Sequence, residues 1–339
     1  GLRSREDRKV ETLWENALEG THTLSVEADA FNEVRESNER NNKLEKSFAV
    51  KKLAGVQSLS EEAFLVVSRS LKETAKALNV NDKEQDLLKA FNEVVEGFER
   101  ASAAFTNAAQ ELQNLRGNLP DSLAQASQTL SDDLLEIYKS LAASLGKVRK
   151  SIGLLNFTQV IEDLTSLEQN LRKLAAFDFD GLKLSVLVEA VARLNEAIEA
   201  TKLLADILAG KKSGDIEKTA RELLRLLKLF GENLGKAGAQ AEEVVTKSPL
   251  SFSDASGKPV TTYRAGEALI ISVKGAQRLK LEVFSQNTFV FSGEVEGERF
   301  EWLGTDSSGK PLTAGIYFYK LSFKTAEGER VNIGRIIIS

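Results

Sequence analysis

The chain has 339 residues, 42% hydrophobic and 28% charged, which suits a folded protein with room for two or three domains. Its net charge of -5, with Lys and Arg interspersed among Glu and Asp, gives no basic footprint, so neither nucleic acid nor an anionic membrane surface is an expected partner. The absence of cysteine excludes disulfides, thiolate metal sites and cysteine nucleophiles, and favours neither redox compartment.

No run of about 18 apolar residues occurs and the opening GLRSREDRKV is charged, so neither a membrane span nor a signal peptide is expected. The chain contains no Met, so the expectation is that it lost its initiator or was cut from something longer. From residue 11 to 50, alternation at His22 to Ala28 and again at Leu44 to Val50 predicts two strands of a hairpin. Between them runs Asp29-Ala30-Phe31-Asn32-Glu33-Val34-Arg35-Glu36-Ser37-Asn38-Glu39-Arg40-Asn41-Asn42. This stretch resembles the closing motif of CARDB, a family of bacterial cell-adhesion-related domains. The matching positions are Asp29, Val34, Glu36, Glu39, Asn41 and Asn42, and the preceding Gly20-Thr21-His22-Thr23-Leu24 also fits.

CARDB domains are seven-stranded immunoglobulin-like sandwiches of about a hundred residues. The resemblance therefore implies the C-terminal half of such a sandwich, a partial domain over residues 1–52. In half a sandwich Leu24, Val26, Phe48 and Val50 lack a facing sheet, which makes them the expected interaction surface. Strands of another polypeptide, a preceding segment or docking onto helices would each cover them. Asp29, Glu36 and Glu39, with Glu33, are candidate calcium ligands, because Ca²⁺ takes carboxylate oxygens on irregular backbone. The competing reading is that these side chains shape the loop by bonding local amides. No other cofactor is expected. His22 is the single histidine, so a histidine metal cluster is excluded, and a terminal half-domain offers no pocket for a Ser-His-Asp system.

From Ser58 the period changes to that of helices. Ser58-Leu59-Ser60-Glu61 reads as a capping box opening a first helix that runs through Leu71 and Leu78 to Asn79. Asp82 to Gln85 is the expected cap of a long second helix, in which Leu87, Phe91, Val94, Phe98, Ala101, Phe105, Ala108, Leu112 and Leu115 share one stripe. The Phe91, Phe98 and Phe105 positions read as core rather than as the wall of an apolar tunnel. Gly117-Asn118-Leu119-Pro120-Asp121 is a stop and restart, and a third helix of matching length follows from Leu130 to Ile152. Val160 to Leu174, Leu184 to Leu208 and Ile216 onward give three more. Gly231, Gly235 and Gly238 weaken the last of these; Gly231 to Lys236 looks like a phosphate loop but follows no strand. Short connections make neighbours antiparallel, and the expectation is an elongated six-helix bundle over 58–245. Asp178-Phe179-Asp180-Gly181 and Asp254-Ala255-Ser256-Gly257 are fragments of a calcium-loop pattern and read as a helix cap and a turn.

After the linker Thr246-Lys247-Ser248-Pro249 the period becomes two, with turns at Asp254 to Gly257, Ser307 to Gly309 and Ala326 to Gly328. Strands are legible at 268–273, 279–284, 289–293, 300–302, 315–323 and 331–338, enough for an antiparallel sandwich over 249–339 that is expected to fold alone, with Trp302 inside. The stretch Trp302-Leu303-Gly304-Thr305-Asp306-Ser307-Ser308-Gly309-Lys310-Pro311, continuing to Gly315-Ile316-Tyr317-Phe318-Tyr319, resembles the FlgD-like immunoglobulin domain. It is also similar to the C-terminal sorting domains of type IX secretion cargo.

The expected fold class is multidomain α and β: an elongated antiparallel helical bundle flanked by a partial immunoglobulin-like β-sandwich and a complete one. No constellation for catalysis is legible. The two resemblances imply a bacterial extracellular or cell-surface protein in which a helical rod spaces immunoglobulin-like modules, with self-association or a neighbouring surface protein as partner. The alternative is a secreted partner-binding bundle carried by a C-terminal sorting or anchoring domain.

Overall fold

A computed structural model describes residues 20–27, 43–50, 56–81, 84–117, 119–179, 183–260, 263–326 and 328–339. The chain divides into two compact units, Gly1–Ala54 and Gly55–Ser339. In the first, β1 (Gly20–Glu27) and β2 (Lys43–Val50) form the antiparallel ladder that the alternation predicts. Its register sets Leu24 opposite Lys46, Val26 opposite Leu44, His22 opposite Phe48 and Gly20 opposite Val50. Directly opposed residues share a face and so do residues two apart. Positions 24, 26, 48 and 50 therefore fall on one face of the ladder.

The second unit begins with a three-residue strand, β3 (Val56–Ser58), that runs without a break into α1 (Leu59–Ala77). Then come α2 (Leu87–Gly117), the four-residue α3 (Asp121–Ala124), α4 (Asp132–Gly153), α5 (Phe157–Ala176), α6 (Leu187–Leu208) and α7 (Ile216–Thr246). Each long helix packs on the long helices before and after it in the chain, and α7 closes back onto α1. The six long helices thus alternate in direction around one core. The α2 stripe lies in that core: Phe91, Val94, Phe98, Ala101, Phe105, Ala108 and Leu112 are buried, while Leu87 and Leu115 at its ends are half-buried. Phe105 meets the ring of Tyr138 on α4 at 5.2 Å, and that phenol bonds Ser70 Oγ on α1 at 3.1 Å, so three helices are tied at one buried point.

The glycines of α7 have a different role from the one their helix propensity suggests. A Cβ at Gly231 would lie 2.9 Å from Leu78 Cβ, one at Gly235 3.0 Å from Ala75 Cβ, and one at Gly238 2.8 Å from the Ser68 carbonyl. At these positions α7 packs on α1 with no room for a side chain, and Ser68 Oγ donates to the Gly238 carbonyl at 2.8 Å across the same crossing. The expected phosphate-loop lookalike is thus a packing stripe.

Three expectations shift. The α2 cap is Asp86, whose Oδ1 accepts from the amides of Leu88 at 2.9 Å and Lys89 at 3.3 Å, rather than a residue of 82–85. The helix that follows does not match α2 in length: α4 has 22 residues against 31, because α3 and the turns after it consume the chain up to the Ser131 cap. Leu130 and Leu184, expected as helical, are buried just outside α4 and α6.

The remaining strands are β4 (Leu250–Ser253), β5 (Leu269–Val273), β6 (Arg278–Ser285), β7 (Thr288–Glu296), β8 (Arg299–Trp302), β9 (Gly315–Thr325) and β10 (Gly328–Ile338). They form two antiparallel sheets, ordered β3-β10-β9-β6-β7 and β4-β5-β8. The inner positions of both sheets share a core that holds Leu269, Ile271, Leu281, Val283, Trp302, Tyr319 and Ile336. Phe252 meets Tyr319 at 5.5 Å and Tyr263 stacks on Trp302 at 5.9 Å, so rings bridge the sheets. Two turns repeat one device. Asp254 Oδ1 accepts from the amides of Ser256 and Lys258, and Asp306 Oδ1 does the same for Ser308 and Lys310, with Gly257 and Gly309 both at φ +84. A left-handed residue closes each turn, which is why glycine stands there.

Candidate functional site at the helix–sheet junction

The sandwich does not begin at residue 249. Its five-stranded sheet takes its edge strand from the chain ahead of the bundle: Val56 pairs with Ile336, Gln57 with Arg335 and Ser58 with Gly334. Ser58 ends the strand and caps the helix. Its Oγ accepts from the Glu61 amide at 3.1 Å and from Asn332 Nδ2 at 2.9 Å, and Asn332 Oδ1 in turn accepts from the Tyr319 hydroxyl at 2.9 Å. Burial pushes the Tyr319 phenol well above its ordinary pKa, which keeps it protonated as the donor in this chain. Next to it the Ile333 amide donates to Ser60 Oγ at 3.2 Å. Strand edge, helix cap and sheet interior are therefore wired by one buried polar network.

Gly334 makes the contact possible. A Cβ there would collide with the Gln57 carbonyl and lie 2.5 Å from two ring carbons of Tyr319. On the outer face of the same sheet, Phe318 and Ile333 are buried in the helical core rather than the sandwich core, with Phe284 and Val331 packed against it. The bundle and the sandwich thus share both apolar and polar contacts.

At this junction a cavity of about 80 Å³ opens between Ser60, Glu61 and Phe64 on α1, Thr129 and Phe179 at the ends of bundle loops, Val244 to Leu250 on the connection to β4, and Phe323 and Arg330 to Asn332 on the sheet. Phe64 and Phe179 meet edge to face at 4.9 Å in its wall. The Glu61 carboxyl faces this environment half-buried. Burial raises its pKa above 4.5, opposed by a hydrogen bond from Ser248. The capping box expected at 58–61 is thus formed only from the Ser58 side, and the Glu61 side chain is turned to the junction.

The sequence candidates lie elsewhere. Positions 24, 26, 48 and 50 share a face of the β1–β2 ladder, while Asp29, Glu33, Glu36 and Glu39 lie outside the described residues. Asp180 and Gly181 also lie outside them. Among the described residues no group of three or more His, Asp or Glu is placed to hold a metal ion. The junction was hidden from sequence reading because β3 is three residues long, too short to show alternation, and because Gly334 and Asn332 look like ordinary strand residues. The one available signal was Ser58, which serves a strand end and a helix cap together.

Among the described residues no helix is long and apolar enough to cross a membrane. Compared with known families, residues 1–46 match CARDB. No curated protein and no solved structure matches the chain. What residues 1–46 are similar to is thus a bacterial cell-adhesion-related domain, over the segment that carries the β1 strand and the first half of β2.

Proposed function

We propose that the protein is an extracellular structural or adhesive component of a bacterial cell surface, in which a helical body is carried by immunoglobulin-like modules. The similarity of residues 1–46 to CARDB carries this reading. The FlgD-like resemblance of Trp302 to Tyr319 supports it, because the related type IX sorting domains belong to exported proteins. In this reading the face at Leu24, Val26, Phe48 and Val50 takes a strand or sheet from a second copy or a neighbouring surface protein. The spacing role falls to the free end of the bundle. Val56 lies opposite Ile336, two residues from the end of β10, so the two ends of the strand pair sit within about 10 Å of each other. The helices extend away from that sheet, and α7 alone, at 31 residues, is about 46 Å long.

A second reading, partner binding by the bundle, is favoured by the turns farthest from the sheet. Leu88, Leu154, Leu155, Leu208 and Ile216 are exposed there, and Leu155 holds a left-handed backbone at φ +50. Antibody labelling of intact cells of the producing bacterium tests the main proposal. Surface labelling lost on brief external protease treatment is the expected result; protein found only after lysis overturns it. Replacing Leu154 and Leu155 with Ser separates the two readings, since loss of attachment with surface display intact favours the bundle as the binding part.

A further inference from the structure

We propose that the junction cavity is a binding site for a small organic ammonium ion, with Glu61 as the counter-charge and Phe64, Phe179 and Phe323 as the apolar wall. Carboxylates taken out of water are ordinarily paired, because leaving one unpaired is costly. Glu61 is half-buried at the cavity, and among the described residues its side chain has a hydroxyl partner, Ser248, and no ion pair. Arg330 also lines the cavity, and the Ser248 hydroxyl bonds the Glu61 carboxyl. The site therefore holds a carboxylate that has the Ser248 hydroxyl as a neutral partner and no cationic one among the described residues.

The wall selects the kind of cation. Three phenylalanine side chains line the space, and aromatic faces attract organic ammonium groups while offering nothing to a hard metal ion. Calcium requires six to eight oxygens, whereas this cavity offers one carboxylate, the Ser60, Thr129 and Ser248 hydroxyls and the Asn332 amide among mostly apolar groups. A volume of about 80 Å³ holds several waters or an ion of a few heavy atoms, and excludes a peptide or a nucleotide. Because the lining comes from α1, from bundle loops and from β9 and β10, an occupant would also clamp the bundle to the sandwich.

The test is amide NMR of the full chain titrated with methylammonium and tetramethylammonium chloride, with sodium chloride and calcium chloride at matched ionic strength. Saturable shifts confined to residues 60–64, 244–250 and 330–332, given by an organic cation and not by the two inorganic salts, are expected. Glu61→Gln, which keeps the shape and removes the charge, should weaken binding at least tenfold, and Phe64→Leu several-fold. Lowering the pH until Glu61 protonates should release the ion from the unmodified chain, which supplies the charge test if Glu61→Gln does not fold. Shifts that do not saturate, that calcium reproduces, or that persist unchanged when Glu61 is neutral would overturn the proposal.

Discussion

Replacing Gly334 with Ala puts one methyl group where β3 crosses the Tyr319 ring. The added carbon meets the Gln57 carbonyl and two carbons of a ring that is fully buried, so neither neighbour is a flexible surface side chain. Tyr319 is fixed from the far side by Phe252 and by its bond to Asn332, which leaves the three-residue β3 as the part that yields. Overpacking of this kind costs about 1–3 kcal/mol. If β3 moves off, Asn332 also loses its bond to Ser58, and an unsatisfied buried amide adds about 1–3 kcal/mol. A destabilisation of about 2–6 kcal/mol is therefore expected, read as a lowered urea midpoint of the full chain. Gly117→Ala is the matched comparison: a Cβ there meets nothing within 4 Å, and it ends α2, so it should be neutral or gain up to about 1 kcal/mol. If Gly334→Ala shifted stability by less than about 0.5 kcal/mol, β3 would not be held against Tyr319 and the junction as described would be wrong.

Phe98→Ala removes a ring that is wholly buried between helices and should cost about 3–5 kcal/mol in the same assay; a loss below about 1 kcal/mol would mean the α2 stripe faces solvent. Glu61 gives a pH signature. Its folded pKa lies above the ordinary 4.5, so the folded state holds its proton longer than the unfolded one, and its contribution is most favourable below 4.5 and declines as pH rises through the raised value. Glu61→Gln should flatten that decline, and an unchanged pH profile would contradict the burial of this carboxyl. Residues 249–339 alone lack β3 and expose Phe318 and Ile333, which the helices cover. At about 1.5–3 kcal/mol for each large apolar side chain, the isolated segment should lose about 3–6 kcal/mol, seen as self-association or a missing cooperative transition.

The sequence made periodic features visible and left crossing points hidden. The four-three spacing from Leu87 to Leu115 reports a face, and seven of those nine positions are buried because a 31-residue helix leaves one stripe inward for its whole length. The Asp254 and Asp306 turns were legible for a local reason: each carboxylate bonds amides two and four residues on, so no distant residue is involved. Gly231, Gly235 and Gly238 were misleading. Propensity alone scores them as weak points, whereas their function is set by Leu78, Ala75 and Ser68 on a helix more than 150 residues earlier in the chain. The junction is of the same kind. Ser58 and Asn332 are 274 residues apart, and nothing in a local window around either indicates the other. Phe318 carries the same lesson, since alternation places it on the outer face of β9 but does not say that it joins the helical core.

The central claim is that β3, the Ser58–Asn332–Tyr319 network and the shared apolar contacts make helices and sandwich one cooperative body. Urea unfolding of the full chain carrying Trp14→Phe measures this directly, because Trp302 fluorescence then reports the sandwich core alone while far-ultraviolet circular dichroism reports the helices. Coincident midpoints that move down together in Gly334→Ala are the predicted result. Two separate midpoints, with only the fluorescence transition shifted by that substitution, would contradict it.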